Sequence, residues 1–300
     1  MSRLGSVALA GALVLGLSAS VTPAQAFNFW FSNTIPCPPT TLPSTCVGNS
    51  AAHASLGANN NVSTDQIGLG NVNLQGQLGF DNTSTTGQYG FVNLNGGAQV
   101  GRGNTDGTVQ IGILNTNTNA QNAASNLTNN GGNGNTNSTL QLGIANTNSN
   151  TQDRARGING QTNDTVQVGI LQTNTNTQKG ENNTNKTTQV GILQSNESSQ
   201  NGKDNKNTTT QVGILQANTS TQKGDDNANT TQQYGAFNAN SSSQTGNGNK
   251  NTTTQAGIGN YASTSQNGND NTATTRQYGS GNSATTIQSG NGNSGGFTQY

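Results

Sequence analysis

The stretch from Gln167 to Gln211, QVGILQTNTNTQKGENNTNKTTQVGILQSNESSQNGKDNKNTTTQ, decides how the whole chain is read. A glutamine returns at every eleventh position, and the step continues through Gln222, Gln233, Gln244, Gln255, Gln266, Gln277, Gln288 and Gln299. A glycine nearly always stands two places after the glutamine and an amide residue five places after, as at Gln200, Gly202 and Asn205. A short fixed period of this kind marks a repeat architecture, in which each unit buries its inner face by stacking on its neighbours.

Side chains on a strand alternate between faces, so positions five, seven, nine and eleven after each glutamine share one face. In Asn205, Asn207, Thr209 and Gln211, or Asn271, Ala273, Thr275 and Gln277, that face is small or amide, while the intervening positions vary as a solvent face does. Each unit is therefore one strand plus a tight connection, with the glycine expected to begin the turn. A finer alternation pairs the units. Val168-Gly169-Ile170-Leu171, Val190-Gly191-Ile192-Leu193 and Val212-Gly213-Ile214-Leu215 are apolar, whereas Lys179-Gly180-Glu181-Asn182 and Lys223-Gly224-Asp225-Asp226 between them are polar, so the true period is 22 residues.

These patterns predict an all-β chain: a parallel β-solenoid with two cross-β-like sheets, built of stacked 22-residue strand-turn-strand rungs. One edge of the stack carries Ile170, Leu171, Ile192, Leu193, Ile214 and Leu215 and is open to bundling, and the opposite edge carries Glu181, Lys203, Asp204, Asp225 and Asp226. A meander of antiparallel hairpins is the competing architecture, favoured locally by Asn201-Gly202 and Asn247-Gly248. Its strands would need an apolar face under a second layer, which this sequence lacks. Parallel stacking instead sets identical amides above one another at about 4.8 Å, where they hydrogen-bond as ladders. The expected self-assembly ladders are Gln66, Gln77, Gln88, Gln99, Gln110, Gln189, Gln211, Gln233, Gln255, Gln277 and Gln299, with Asn205, Asn227, Asn249, Asn271, Asn282 and Asn293.

Outward from the clean region, the step reaches back through Gln121, Gln110, Gln99, Gln88 and Gln77 to Gln66, which places the repeat domain at 65–300. Two intervals are long, Gln121 to Gln141 by nine and Gln152 to Gln167 by four, and read as polar loop insertions near 127–134 and 153–156. All five prolines lie before Ser44, consistent with ladders that need every backbone donor. Residues 27–64 form a different leader with Phe27, Phe29, Trp30 and Phe31 and the two cysteines, Cys37 and Cys46, which an oxidising compartment could join. Residues 1–26 have a basic start, the apolar run Val7 to Leu17 and the small-residue end Ala24-Gln25-Ala26, the pattern of a secretory signal peptide. Export to the cell exterior is the expected localisation.

Composition narrows the function. Only 27% of the chain is hydrophobic and 7% charged, with zero net charge, too little apolar material for an ordinary core of this length. The balance offers no basic patch for nucleic acid, and no later run approaches a membrane span. His53 is the only histidine and lies far in sequence from any acid-base partner, so no catalytic triad, zinc site or other cofactor site is expected, and no enzyme.

The units Gln255 to Gln266 (QAGIGNYASTSQ), Gln266 to Gln277 (QNGNDNTATTRQ) and Gln277 to Gln288 (QYGSGNSATTIQ) resemble the curlin repeat of bacterial curli fibre subunits. The resemblance covers essentially Gln66 to Tyr300. It implies a subunit secreted unfolded through an outer-membrane pore and assembled into extracellular amyloid fibres for adhesion and biofilm matrix. It also implies partners: further copies of the chain, a nucleator subunit and the curli-type secretion machinery. The sequence departs from the pattern where Asn replaces Ala at position seven, as at Asn174, Asn185, Asn196, Asn207 and Asn218, and where Gln172, Gln194 and Gln216 stand at position five. A monomeric surface or ice-binding solenoid is the alternative, suggested by Thr208-Thr209-Thr210 and Thr252-Thr253-Thr254.

Overall fold

The computed structural model describes residues 26–32, 49–123, 134–154 and 160–300, and within them every regular element is a strand. Successive strands alternate between two sheets. Ser50–Ala58, Val72–Phe80 and Leu94–Arg102 open one sheet, and Asn61–Leu69, Thr83–Phe91 and Thr105–Ile113 open the other. Within each sheet the strands are parallel and in strict register, so that Thr184 faces Lys206, Gln189 faces Gln211 and Ile192 faces Ile214. The chain is thus a β-solenoid with one strand from each sheet in every turn. The meander is excluded, since consecutive strands lie in different sheets rather than side by side.

The exception is the first strand, Ala26–Ser32, which runs antiparallel along Ser50–Ala58 and pairs Phe29 with Ala54. It makes one sheet twelve-stranded against eleven in the other.

Several boundaries differ from the sequence expectation. The parallel stack begins at Ser50 rather than at 65, because Ser55 occupies the glutamine column opposite Gln77 and hides the first rung from a count of glutamines. The nine-residue excess is visible in the register of Thr105 with Thr136, and the four-residue excess in that of Thr136 with Thr162. Asp153 and Arg154 still pair with Lys179 and Gly180, so the second insertion follows Arg154 instead of beginning at 153. The signal segment up to residue 25, Cys37 and Cys46, and 127–133 of the first insertion lie outside the described residues.

The repeated glycine also has a different task. Gly213 lies inside the strand Lys206–Ile214 with φ +143°, and a Cβ there would sit 1.8 Å from the carbonyl oxygen of Gly235 in the next rung. The left-handed corner residue comes two places later, at Leu215 (φ 53°) or Asp226 (φ 56°). Glycine is required for the close approach of rungs; the turn itself is made at position four.

The interior is polar. Among the described residues Ala262, Ala273 and Ala284 are the buried hydrophobic side chains, while Asn205, Asn207, Thr209 and Gln211 and their equivalents fill the space between the sheets.

Candidate functional site

The alternation of each strand sends its glutamine inward at the same height in every rung. Gln189 Nε2 donates to Gln211 Oε1 at 2.9 Å, and Gln211 Nε2 to Gln233 Oε1 at 2.8 Å. The same two amides donate across the interior to the carbonyls of Thr173 and Ser195, at 3.1 and 3.0 Å. Each glutamine thereby joins its rung to the next and one sheet to the other. This column gathers Gln66, Gln88, Gln110, Gln189, Gln211, Gln233, Gln255, Gln277 and Gln299. Gln77 and Gln99 belong to a second column on the facing sheet.

The asparagines at position five clamp the corners. Asn205 Oδ1 accepts from the Asn227 backbone N–H at 3.1 Å, while its Nδ2 donates to the Gly224 carbonyl at 2.6 Å. Asn227, Asn249, Asn271 and Asn293 continue that column, and Asn282 lies in the other one above Asn260. Position seven adds a third ladder, in which Asn207 Nδ2 donates to Asn185 Oδ1 at 2.8 Å and to Ser198 Oγ on the facing sheet at 3.0 Å. The departures from the curlin pattern are therefore structural: Asn196 and Asn218 ladder onto Asn174 and Asn196, and Gln172, Gln194 and Gln216 form a stack of their own. A polar core is tolerable because most of its amides find a partner at each height.

The exceptions are instructive. Asn240 and Asn251 Oδ1 lack a donor, and Thr264, Thr275 and Thr286 Oγ1 lack a partner. Ala262 and Ala273 stand in register above Asn240 and Asn251, so the ladder amide is missing where the chain switches from Asn to Ala. Gln77 Oε1 is likewise orphaned, with Ser55 beneath it.

Sequence reasoning missed Asp106. It occupies inner position seven, fully buried, where Asn137 and Asn119 donate to its Oδ1 at 2.7 and 2.8 Å and Ser84 Oγ approaches Oδ2 at 3.5 Å. Burial pushes its carboxyl up to about 6, against the pull of those three hydrogen bonds. Counting by rungs finds it, since Asp106 shares the column of Asn137, Asn163 and Asn185.

The outside has two unlike edges. Ile170, Leu171, Ile192, Leu193, Ile214 and Leu215 stack along one and are all exposed. Along the other, Asn182 donates to Asp204, and Lys203 lies 4.0 Å from Asp204.

Among the described residues, the last strand of each sheet is paired on one side. Thr272 and Tyr261 donate their backbone N–H groups to Asn293 and Asn282 of the rung beyond. Ser294 and Ser283, in register with them, begin the last strand of each sheet, and their N–H groups face outward with no further rung among the described residues. At the opposite end Asn61–Leu69 is an edge strand, while the sheet beside it is covered by Ala26–Ser32.

Residues 268–300, the last rung and part of the one before, match the family model of the Curlin associated repeat. No curated protein matches the chain.

Proposed function

We propose that this curlin-repeat protein is a structural, non-enzymatic subunit of extracellular curli-like amyloid fibres, growing by rung-on-rung stacking and serving cell adhesion and biofilm matrix. The observation that carries the reading is the strict parallel register, in which each rung presents to the next the backbone and amide groups it has itself received; the last described rung keeps the ladder glutamine and the position-five asparagines, with Gly295 and Phe297 at positions seven and nine of its second strand. Asn282 and Asn293 keep the corner geometry there, and Gln299 still accepts from Gln277 at 3.0 Å. Exposed strand edges template the addition of further strands. The partners of this reading are further copies, a nucleator subunit and an outer-membrane secretion machinery of the curli type.

A thioflavin-T time course on the purified chain, with electron microscopy at the plateau, tests it. Unbranched fibres with rising dye fluorescence are expected; a chain that stays monomeric at all times would remove the reading.

One observation favours a second reading, a monomeric ice-binding or adhesive solenoid: Thr208, Thr230, Thr252 and Thr274 form an outward column in adjacent strands. Thermal hysteresis together with monomeric sedimentation would decide for it.

A further inference from the structure

The position-four corners of the two edges share one backbone conformation but not one chemistry. On the charged edge the left-handed residue is Asn59, Asp81, Asn182, Asp204, Asp226 or Asp270, with φ between 52° and 57°. These types enter that region at least cost after glycine, because a short polar side chain can bond locally. On the other edge the same conformation is held by Ala145 and by six bulkier residues, Val92, Leu114, Leu171, Leu193, Leu215 and Phe237, with φ between 53° and 58°. A bulky or β-branched residue there is strained, and persistent strain points to a selected role.

No burial explains the choice, since these six side chains are 41 to 59% exposed. With position three (Phe91, Ile113, Ile144, Ile170, Ile192, Ile214) they form a continuous ridge, one step per rung. The corner tetrads from Ile67–Gly70 to Tyr278–Gly281 contain no charged residue. Taking ~100 Å² for a fully exposed aliphatic side chain, the exposed apolar side chains of this edge from Ile67 to Tyr278, position one included, present roughly 900 Å² of apolar surface. That exceeds the roughly 300–600 Å² of the largest patch on an ordinary monomer. It reaches the ~800 Å² that each partner contributes to a stable interface.

We infer that the ridge is a lateral interface, at which two copies of this solenoid pack edge to edge. The area is sufficient, and the absence of charge leaves an apolar counterpart as the complement. The axial repeat selects it further: knobs recurring once per strand spacing interdigitate along their length with a surface of the same repeat, and a second copy of this chain supplies one. A two-fold axis makes the patch self-complementary. This pairing is distinct from end-to-end stacking and holds for a single pair of solenoids as well as for fibres.

The test replaces Leu171, Leu193 and Leu215 together by asparagine. The opposite edge uses asparagine at this φ at Asn59 and Asn182, so the fold is expected to be kept, with an unchanged or higher thermal midpoint by circular dichroism. Small-angle X-ray scattering of the full chain reads mass per unit length whether the particles are short rods or fibres. The wild type should show two solenoids in cross-section and the triple variant one, a twofold drop. An unchanged cross-section in the folded variant would overturn the inference. A wild type with one solenoid in cross-section that floats with phosphatidylcholine vesicles would also overturn it, assigning the ridge to a lipid surface. Should the triple variant unfold, Leu193→Asn alone should still weaken pairing, read as a raised concentration for half-association, and no change there would count against the interface.

Discussion

Gly213 and Gly235 lie one rung apart with so little room between them that a methyl group on the first would sit 1.8 Å from the carbonyl oxygen of the second. The backbone of Gly213 is also at φ +143°, outside the range of other residues. Gly213→Ala should therefore lower stability by about 3 kcal/mol, combining backbone strain and overpacking. Gly281, with φ +69° and open space around it, is the contrast, and Gly281→Ala should cost only about 1 kcal/mol. Urea unfolding of the two variants, compared by midpoint, checks the difference.

Asp106 makes stability depend on pH. Its folded carboxyl titrates at about 6 against 3.8 for the free group, and its partners Asn137, Asn119 and Ser84 are uncharged. Below pH ~4 the group is protonated in both states and adds no penalty. As pH rises through the interval to about 6 the unfolded chain gives up its proton first, and stability falls by about 3 kcal/mol. Asp106→Asn should remove that slope and raise stability at pH 7 by a similar amount. Thermal midpoints of both proteins from pH 4 to pH 8 read the effect.

Ala273 interrupts the position-seven ladder above Asn251. Ala273→Asn restores a donor to Asn251 Oδ1 and one to Thr264 Oγ1, both orphaned in the native chain. A gain of about 1 kcal/mol is expected from satisfying buried groups. An unchanged or lower unfolding midpoint would mean that the alanine rungs have closed on the missing volume.

The fold was legible because one rule acts at every rung: identical side chains at one height satisfy one another. The eleven-residue glutamine step therefore reported strand length, and the alternation of Val190-Gly191-Ile192-Leu193 with Asn201-Gly202-Lys203-Asp204 reported the two edges. Features that break identity were not legible. Ser55 ended the glutamine column without ending the sheet. Asp106 drew no notice as one acid in a column of amides, and only its rung neighbours place it inside. Position two hid its reason as well, since glycine suits both a turn and a close approach, and only the spacing of Gly213 from Gly235 distinguishes them. The antiparallel strand Ala26–Ser32 carries no repeat and had no pattern to announce it.

The central claim is that a further copy of the chain adds to the last described rung. Ser283 and Ser294 begin the two edge strands there, and their N–H groups point outward. Proline is tolerated at the first residue of an edge strand and removes the donor that a docking strand needs. The double variant Ser283→Pro, Ser294→Pro is therefore expected to fold with unchanged strand content by circular dichroism. In a thioflavin-T assay seeded with wild-type fibres it should elongate at least tenfold more slowly than the native chain. Elongation of the folded variant at the wild-type rate would contradict the account.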